Sequence, residues 1–367
     1  MKNKARFNGK AANGRLKRKH VTSYDVAAAA GVSQSAVSRV FSERGYASQA
    51  MRARVHEAAQ KLGFKPNAIA RSLITRRSQI IAVVIADLQY SFYLSILHRL
   101  CHELRSGGYQ ALLFSVPSSE DIDDFMPDVI AYQVDGVILA SSRLASRSAR
   151  LCRDAGVPVV LINRYLSDTA FSAISADNLY AGRLAADFLL AGGHERLAFI
   201  SGLEDTSTSA DRERGFFERV KHLGGRRPLR RKGNFTYDGG SAAALDLMRL
   251  DRRPDAIFCA SDIMAMGAMD AIRYETGLRV PEDVSIVGFN DAAEAAWKGF
   301  ELTTITSSAE EMSRRAVGML EELMEDPERS PTREFIKGRL VIRKSARLPA
   351  DTALFSADPY ALESIPE

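Results

Sequence analysis

Gln34, Ser35, Ser38 and Arg39 are the first residues of this 367-residue chain whose types and spacing could do chemistry. They share the exposed face of a short predicted helix, with no acidic residue among them to repel phosphate. A glutamine amide pairs bidentately with adenine and a guanidinium with guanine on the major-groove edge, while serine is less selective. A merely solvated helix face is the competing reading of these four residues.

A second constellation recurs at the ends of short apolar runs. Tyr90-Ser91-Phe92-Tyr93 follow IIAVVIA, Asn163-Arg164 follow PVVLI, and a Thr/Ser-rich loop leading to Arg212 follows LAFIS. Phe235 follows a further strand-like segment, Ser261-Asp262 follow DAIFCA, and Asn290-Asp291 follow VSIVGF. Aromatic rings stack on the C–H face of a polyhydroxylated ligand, while amides, hydroxyls and guanidinium groups take its hydroxyls. Asp262 and Asp291 taken singly are expected to cap the helices that follow them.

Signatures of catalysis do not accompany these groups. The sequence has no Walker loop, no G-x-S-x-G elbow and no H-E-x-x-H. Its six histidines are dispersed, and His98 and His102, although helically spaced, lack an acid at ligand spacing. Cys101, Cys152 and Cys259 stand in apolar surroundings without metal-like spacing and read as reduced buried thiols. No enzyme, metal or cofactor is expected.

The elements that must position these side chains differ along the chain, and so does charge. Residues 1–78 hold 17 Lys and Arg against 3 acidic residues, a net of +14; the remainder holds 33 against 42, a net of −9. Such segregation points to a polyanion partner for the N-terminal fifth. An anionic membrane surface is disfavoured, because no amphipathic or lipidation signal accompanies the charge. No window is apolar enough to span a membrane, and the basic first twenty residues lack the apolar core of a secretory signal, so a cytoplasmic, nucleoid-associated protein is expected.

Residues 21–65 read as three short helices. Thr22 with Asp25 forms a capping-box pattern, Gly31 supplies a turn, and Ser33 caps the helix carrying the base-reading candidates. Ser48 caps a third helix with Val55, Ala58, Ala59 and Leu62 on one face and Gly63 at its end. Val26, Ala27, Ala30, Val32, Val37 and Val40 can close a small core, giving a helix-turn-helix pattern. Residues 66–78, from Pro66 through Leu73, form a hinge too short for a stable isolated helix, expected to fold only against DNA and a dimer partner. From residue 79 strands alternate with helices, which argues parallel sheets covered on both faces and ligands beyond the carboxyl ends of the strands.

The stretch from Val21 to Leu73 resembles the headpiece of the lactose/galactose/purine repressor family. SDIMAMGAMDAIRYETGLRVPEDVSIVGFND, and more weakly residues 79–345, resemble the periplasmic sugar-binding-protein fold that this family carries. The resemblance implies a transcriptional regulator with an all-α headpiece and a two-lobed α/β module. It implies an N-lobe of about 79–176 and 306–335, a C-lobe of about 177–305 and 336–345, and flanking tails at 1–20 and 346–367. It assigns base reading to Gln34, Ser35 and Arg39, and backbone contacts to Thr22, Tyr24, Ser33, Ser38 and Asn67. Leu73, with Ala70 beside it, becomes a wedge in the minor groove. The implied effector set is Phe92, Tyr93, Asn163, Arg164, Thr208, Arg212, Phe235, Ser261 and Asn290. Implied partners are a pseudo-palindromic double-stranded operator, a second copy of the chain and a sugar-type effector; the C-terminal tail has no leucine heptad for a tetramer.

Two positions depart from the family pattern. Ser261 stands where many sugar-responsive members have Asn, and Asn290 where most have Asp. Two arginines without an acid predict an anionic effector such as a sugar acid, unless a neighbouring Asp87 or Asp291 balances them. A solute-binding protein of the same fold is the alternative for the whole chain.

Overall fold

The computed structural model describes residues 21–41, 46–65, 77–86, 88, 91–116, 122–140, 146–166, 170–204, 206–352 and 355. They fall into two compact units, Met1–Ser78 and Gln79–Glu367.

The described residues of the first unit form three helices, α1 (Ser23–Ala30), α2 (Gln34–Val40) and α3 (Gln49–Leu62). Thr22 closes a full capping box with Asp25, while Ser33 and Ser48 each accept a backbone N–H in the first turn of the next helix. Gly31 (φ 64°) and Gly63 (φ 66°) end α1 and α3 in the left-handed region, where a Cβ is unfavourable. The core is Val26, Ala27, Ala30, Val37, Val40, Val55, Ala58 and Ala59, with Val32 only partly buried against it. Leu62, which shares one face of α3 with Val55, Ala58 and Ala59, is exposed while those three are buried. The turn at Gly63 folds the chain back so that the Phe64 N–H meets the Ala59 carbonyl, and the Phe64 ring packs against the core in its place.

The second unit has two six-stranded sheets. One runs β11-β5-β4-β3-β1-β2, all parallel: β1 (Ile80–Ala86), β2 (Gln110–Val116), β3 (Gly136–Ala140), β4 (Val159–Ile162), β5 (Ser172–Ala176) and β11 (Arg333–Ile336). The other runs β12-β10-β9-β8-β6-β7: β6 (Leu197–Ser201), β7 (Leu229–Lys232), β8 (Ala256–Cys259), β9 (Ser285–Asn290), β10 (Thr303–Thr306) and β12 (Leu340–Val341), of which β12 alone is antiparallel to its neighbour. The chain therefore passes between lobes three times, after Ala176, after Thr306 and after Ile336.

Helices cover both faces, so the central strands β1, β3, β4, β6, β8 and β9 read as largely apolar runs. In the first lobe α4 (Ser91–Ser106) and α11 (Ala309–Glu325) bury Ile96, Leu100, Met312 and Leu320 on one face. There α5 (Ile122–Ala131) and α6 (Ser146–Asp154) bury Met126, Val129 and Cys152 on the other. The second lobe adds α7 (Asn178–Ala191), α8 (Ser207–His222), α9 (Tyr237–Met248) and α10 (Asp262–Ala271) around Phe188, Phe199, Phe216 and Phe258. Cys152 and Cys259 are buried and Cys101 is half-buried. Two described residues after position 345 pack on this lobe: Ala346 is buried and the Phe355 ring meets Phe188 edge-on at 5.5 Å.

His194 lies beneath this C-terminal segment. Its Nδ1 stands 3.0 Å from Arg347 Nη2, and its Nε2 is buried without a partner. Burial, and then the Arg347 charge, lower its pKa to about 4. Between pH 4 and the ordinary value near 6.5 the unfolded chain binds the proton and the folded chain does not. Its contribution is thus complete above pH 6.5 and lost as pH falls towards 4, about 3 kcal/mol in all at ~1.4 kcal/mol per pH unit. Urea denaturation across that window should show the fall, and His194→Gln should flatten it; an unchanged slope would count against a buried neutral imidazole.

Candidate functional site

In the helical unit, Ser33 N-caps α2 and its hydroxyl also lies 2.9 Å from Ser35 Oγ. Thr22, Tyr24, Ser33, Ser35, Ser38 and Arg39 are exposed and Gln34 is half-buried, its Nε2 donating to Ser23 Oγ at 3.4 Å. Arg39 is held loosely along the helix by a 3.4 Å bond from Nε to the Ser35 carbonyl. This face therefore presents hydroxyl, amide and guanidinium groups held to the unit by few bonds. Asn67, Ala70 and Leu73 lie outside the described residues.

In the two-lobed unit, the carboxyl ends of both sheets bring the second constellation together. Asn163 follows β4 with φ 69°, a left-handed conformation that asparagine tolerates better than most residues. Its Nδ2 donates to the Tyr93 hydroxyl at 3.2 Å, and Phe92 packs 5.6 Å from the Tyr93 ring. Arg164, 4% exposed, spans the lobes to lie 5.7 Å from the centroid of Phe235. Phe235 itself has φ 60°, costly for a bulky residue, and its ring lies so close to Gly202 that any Cβ there would collide with it.

Arg212 rises from α8 one turn after the buried Thr208 and stacks on Phe289 at 3.6 Å. Its Nε donates to Asn178 Oδ1 at 2.7 Å and its Nη1 to the Ala260 carbonyl. Burial, reinforced by the Arg164 charge, lowers its pKa to about 9, so it remains cationic at neutral pH. Ser261 and Asn290 complete the set, Asn290 at φ 120°. Asn163 Oδ1, Arg164 Nε and Nη1, Ser261 Oγ and Asn290 Oδ1 are all buried without a hydrogen-bond partner in the protein. Native interiors satisfy nearly all such atoms, so their convergence at one cleft marks a place built for a polar ligand.

The acids beside this cleft do something other than capping. The N-cap of α10 is Ser261, without a side-chain cap bond. Asp262 instead accepts from Thr304 Oγ1 at 2.6 Å and from the Ala292 N–H at 2.7 Å, which ties the loop after β9 to β10. Burial raises its pKa to about 6. Asp291 accepts from Arg343 Nη2 at 2.8 Å and caps nothing, since Ala292 begins the following short 3-10 turn. It therefore faces Arg343 rather than balancing the two cleft arginines, and Asp87 lies outside the described residues.

Residues 22–67 match the family model for bacterial regulatory proteins of the lacI family, and residues 186–346 a periplasmic binding protein-like domain. The chain is 33% identical over 340 residues to the HTH-type transcriptional regulator CelR of Thermobifida fusca, covering 90% of this chain and 99% of the relative.

The chain belongs to the LacI family.

The solved complex of the transcriptional regulator CelR with cellobiose is similar to this LacI-family regulator at TM-score 0.69 and 31% identity, over 89% of this chain and all of that one. The lac repressor dimer bound to operator and the anti-inducer ONPF matches at TM-score 0.81 and 26% identity, over 89% and 99%. The expected fold class, a helix-turn-helix headpiece with a two-sheet parallel α/β module, is borne out.

Two parts of the cleft of this regulator follow no motif in its sequence. Asn178, at the first crossing between lobes, donates to Ser175 Oγ and the Ala176 carbonyl while accepting from Arg212, so a cleft arginine is wired to the interlobe strand. Tyr165, on the first lobe, donates its hydroxyl to Asp211 on α8, and its backbone N–H lies 3.4 Å from Ser207 Oγ. Burial, then Asp211, raise the phenol to about 12, so it remains a donor at neutral pH. Only the Asp-Asn pair at 177–178, which reads as a helix start, left a trace in the sequence.

Proposed function

We propose that this LacI-family regulator binds a pseudo-palindromic DNA operator as a homodimer and that a polyhydroxylated small molecule in the interlobe cleft changes operator affinity. The supporting observation is the convergence, from strand ends of both lobes, of unpartnered polar atoms and the rings of Phe92, Tyr93 and Phe235. The cellobiose bound to CelR is a ligand of that chemistry. The chain works by binding and not by catalysis, and acts in the cytoplasm; among the described residues no helix is long and apolar enough to cross a membrane.

In this reading Gln34, Ser35 and Arg39 read bases. Thr22, Tyr24, Ser33, Ser38 and Asn67 hold the phosphate backbone, and Ala70 with Leu73 enter the minor groove. Ligand favours one relative setting of the lobes, and the resulting difference in operator affinity is the coupling free energy between the two sites. Selection of full-length protein against a random double-stranded DNA pool tests the reading. Wild type is expected to enrich a two-fold symmetric site, and Arg39→Ala to relax one position in each half-site at a cost of about 1–3 kcal/mol. Absence of any enriched symmetric site, or a uniform loss across all sequences, would contradict it.

A further inference from the structure

We infer that the ligand of the interlobe cleft carries a negative charge, and that Arg164 is the group that takes it up. The inference rests on the cleft being the effector site. Arg164 is 4% exposed, and its Nε and Nη1 are both buried without a partner. A guanidinium does not shed its proton, so it cannot escape burial by becoming neutral as a lysine or histidine does. Hydroxyls of a neutral sugar would satisfy its hydrogen bonds and leave its charge uncompensated; a carboxylate or phosphate satisfies both.

The described acids around the cleft are committed elsewhere. Asp262 accepts from Thr304 and the Ala292 N–H, Asp291 from Arg343, and Asp211 from Tyr165 and Arg214. The described hydrogen-bond partners of Arg212 are neutral oxygens of Asn178 and Ala260, while Asp262 and Asp211 lie near enough to favour its charged form, so the need for a counter-charge falls on Arg164. Arg164 in turn lowers the pKa of Arg212, as like charges held close together do. The end of β9 carries the neutral amide of Asn290, whose Oδ1 is itself unpartnered. The rings of Phe92, Tyr93 and Phe235 remain for the apolar face of the same molecule. The chemistry is that of a small organic acid with a hydroxylated body.

Thermal shift of the full-length protein at constant ionic strength tests this with matched pairs: galacturonate against galactose, glucuronate against glucose, and glucose 6-phosphate against glucose. Citrate and inorganic sulfate serve as anions without a sugar body. The expected result is that the acid of at least one pair binds about 10–100-fold more tightly than its neutral partner, the range of one charge-assisted bond at tenfold per 1.4 kcal/mol. Arg164→Met should abolish that lead, and Asn290→Asp should shrink or reverse it even if Arg164→Met folds poorly. Carboxylate and phosphate arms separate the two sources of charge. A neutral sugar binding as tightly as its acid overturns the inference while leaving the carbohydrate reading intact. Citrate or sulfate shifting the melting temperature where no sugar acid does supports the charge and overturns the carbohydrate reading. No shift from any anion in the set overturns the inference.

Discussion

Replacing Gly215 by alanine is expected to cost the second lobe about 3 kcal/mol, at the upper end of what overpacking usually does. Helices α7 and α8 cross where Gly215 faces Leu179 and Gly182 faces Phe216. A Cβ on Gly215 would be driven into the Leu179 carbonyl, and one on Gly182 into the Arg212 carbonyl, with the Phe216 nitrogen at 2.7 Å. Both obstacles are backbone, so no side chain can swing aside and the helices must part. Arg212 lies three residues before Gly215 and reaches Asn178 on the opposing helix at 2.7 Å, so separation also strips a cleft residue of its anchor. Gly318→Ala in α11 is the control, because there a Cβ meets only the flexible end of Arg315 at 3.3 Å. Alanine is the better helix former by about 0.8–1.0 kcal/mol, so that variant should be neutral or more stable. Equal stability of the Gly215→Ala protein and wild type in urea would refute the close crossing.

Arg212→Met should lower effector affinity about 100-fold while leaving operator binding in the absence of effector close to wild type. Methionine keeps an unbranched side chain over Phe289, which Arg212 covers at 3.6 Å, and so preserves the packing. It removes the bonds to Asn178 and Ala260 and the charge that the cleft presents. Two further bonds from its remaining N–H groups to the effector, at about 1.5 kcal/mol each for a charged donor, give the hundredfold figure. Asn178 belongs to the first crossing between lobes, so the variant also cuts the link from cleft to interlobe strand. Isothermal titration separates this loss from any fall in stability followed by urea. Unaltered affinity would remove Arg212 from the site.

The helical unit was legible almost residue by residue because short polar side chains write their own punctuation. Thr22, Ser33 and Ser48 start helices by accepting backbone N–H groups, and Gly31 and Gly63 stop them in a conformation other residues avoid. Helical periodicity does not register what the residues after the helix do: Leu62 is exposed at the end of its face, and Phe64 returns to pack against the core. Seven strands announced themselves as apolar runs. The other five did not: β5 is built of small residues, β10 is mostly threonine, β11 is half charged, β12 has two residues, and β7 is a cationic edge strand held by Glu204, Glu213 and Asp246.

The cleft was legible in part, because parallel sheets put the residues after each strand at one edge. What each acid does there was not. Asp262 bonds to Thr304, 42 positions away, and Asp291 to Arg343, 52 positions away, pairings set by sheet order and crossings instead of local pattern. Tyr165 and Asn178 leave no local pattern for the same reason: their partners lie across an interlobe passage or on a helix 34 residues later.

Fluorescence anisotropy of full-length protein on its selected operator, with and without a ligand found in the matched-pair screen, tests the coupling of cleft to DNA most directly. The expected result is at least a tenfold change in operator Kd at saturating ligand for wild type, a coupling of about 1.4 kcal/mol or more, and little or none for Arg212→Met. A ligand that binds the cleft tightly yet leaves the wild-type operator Kd unchanged would contradict the account.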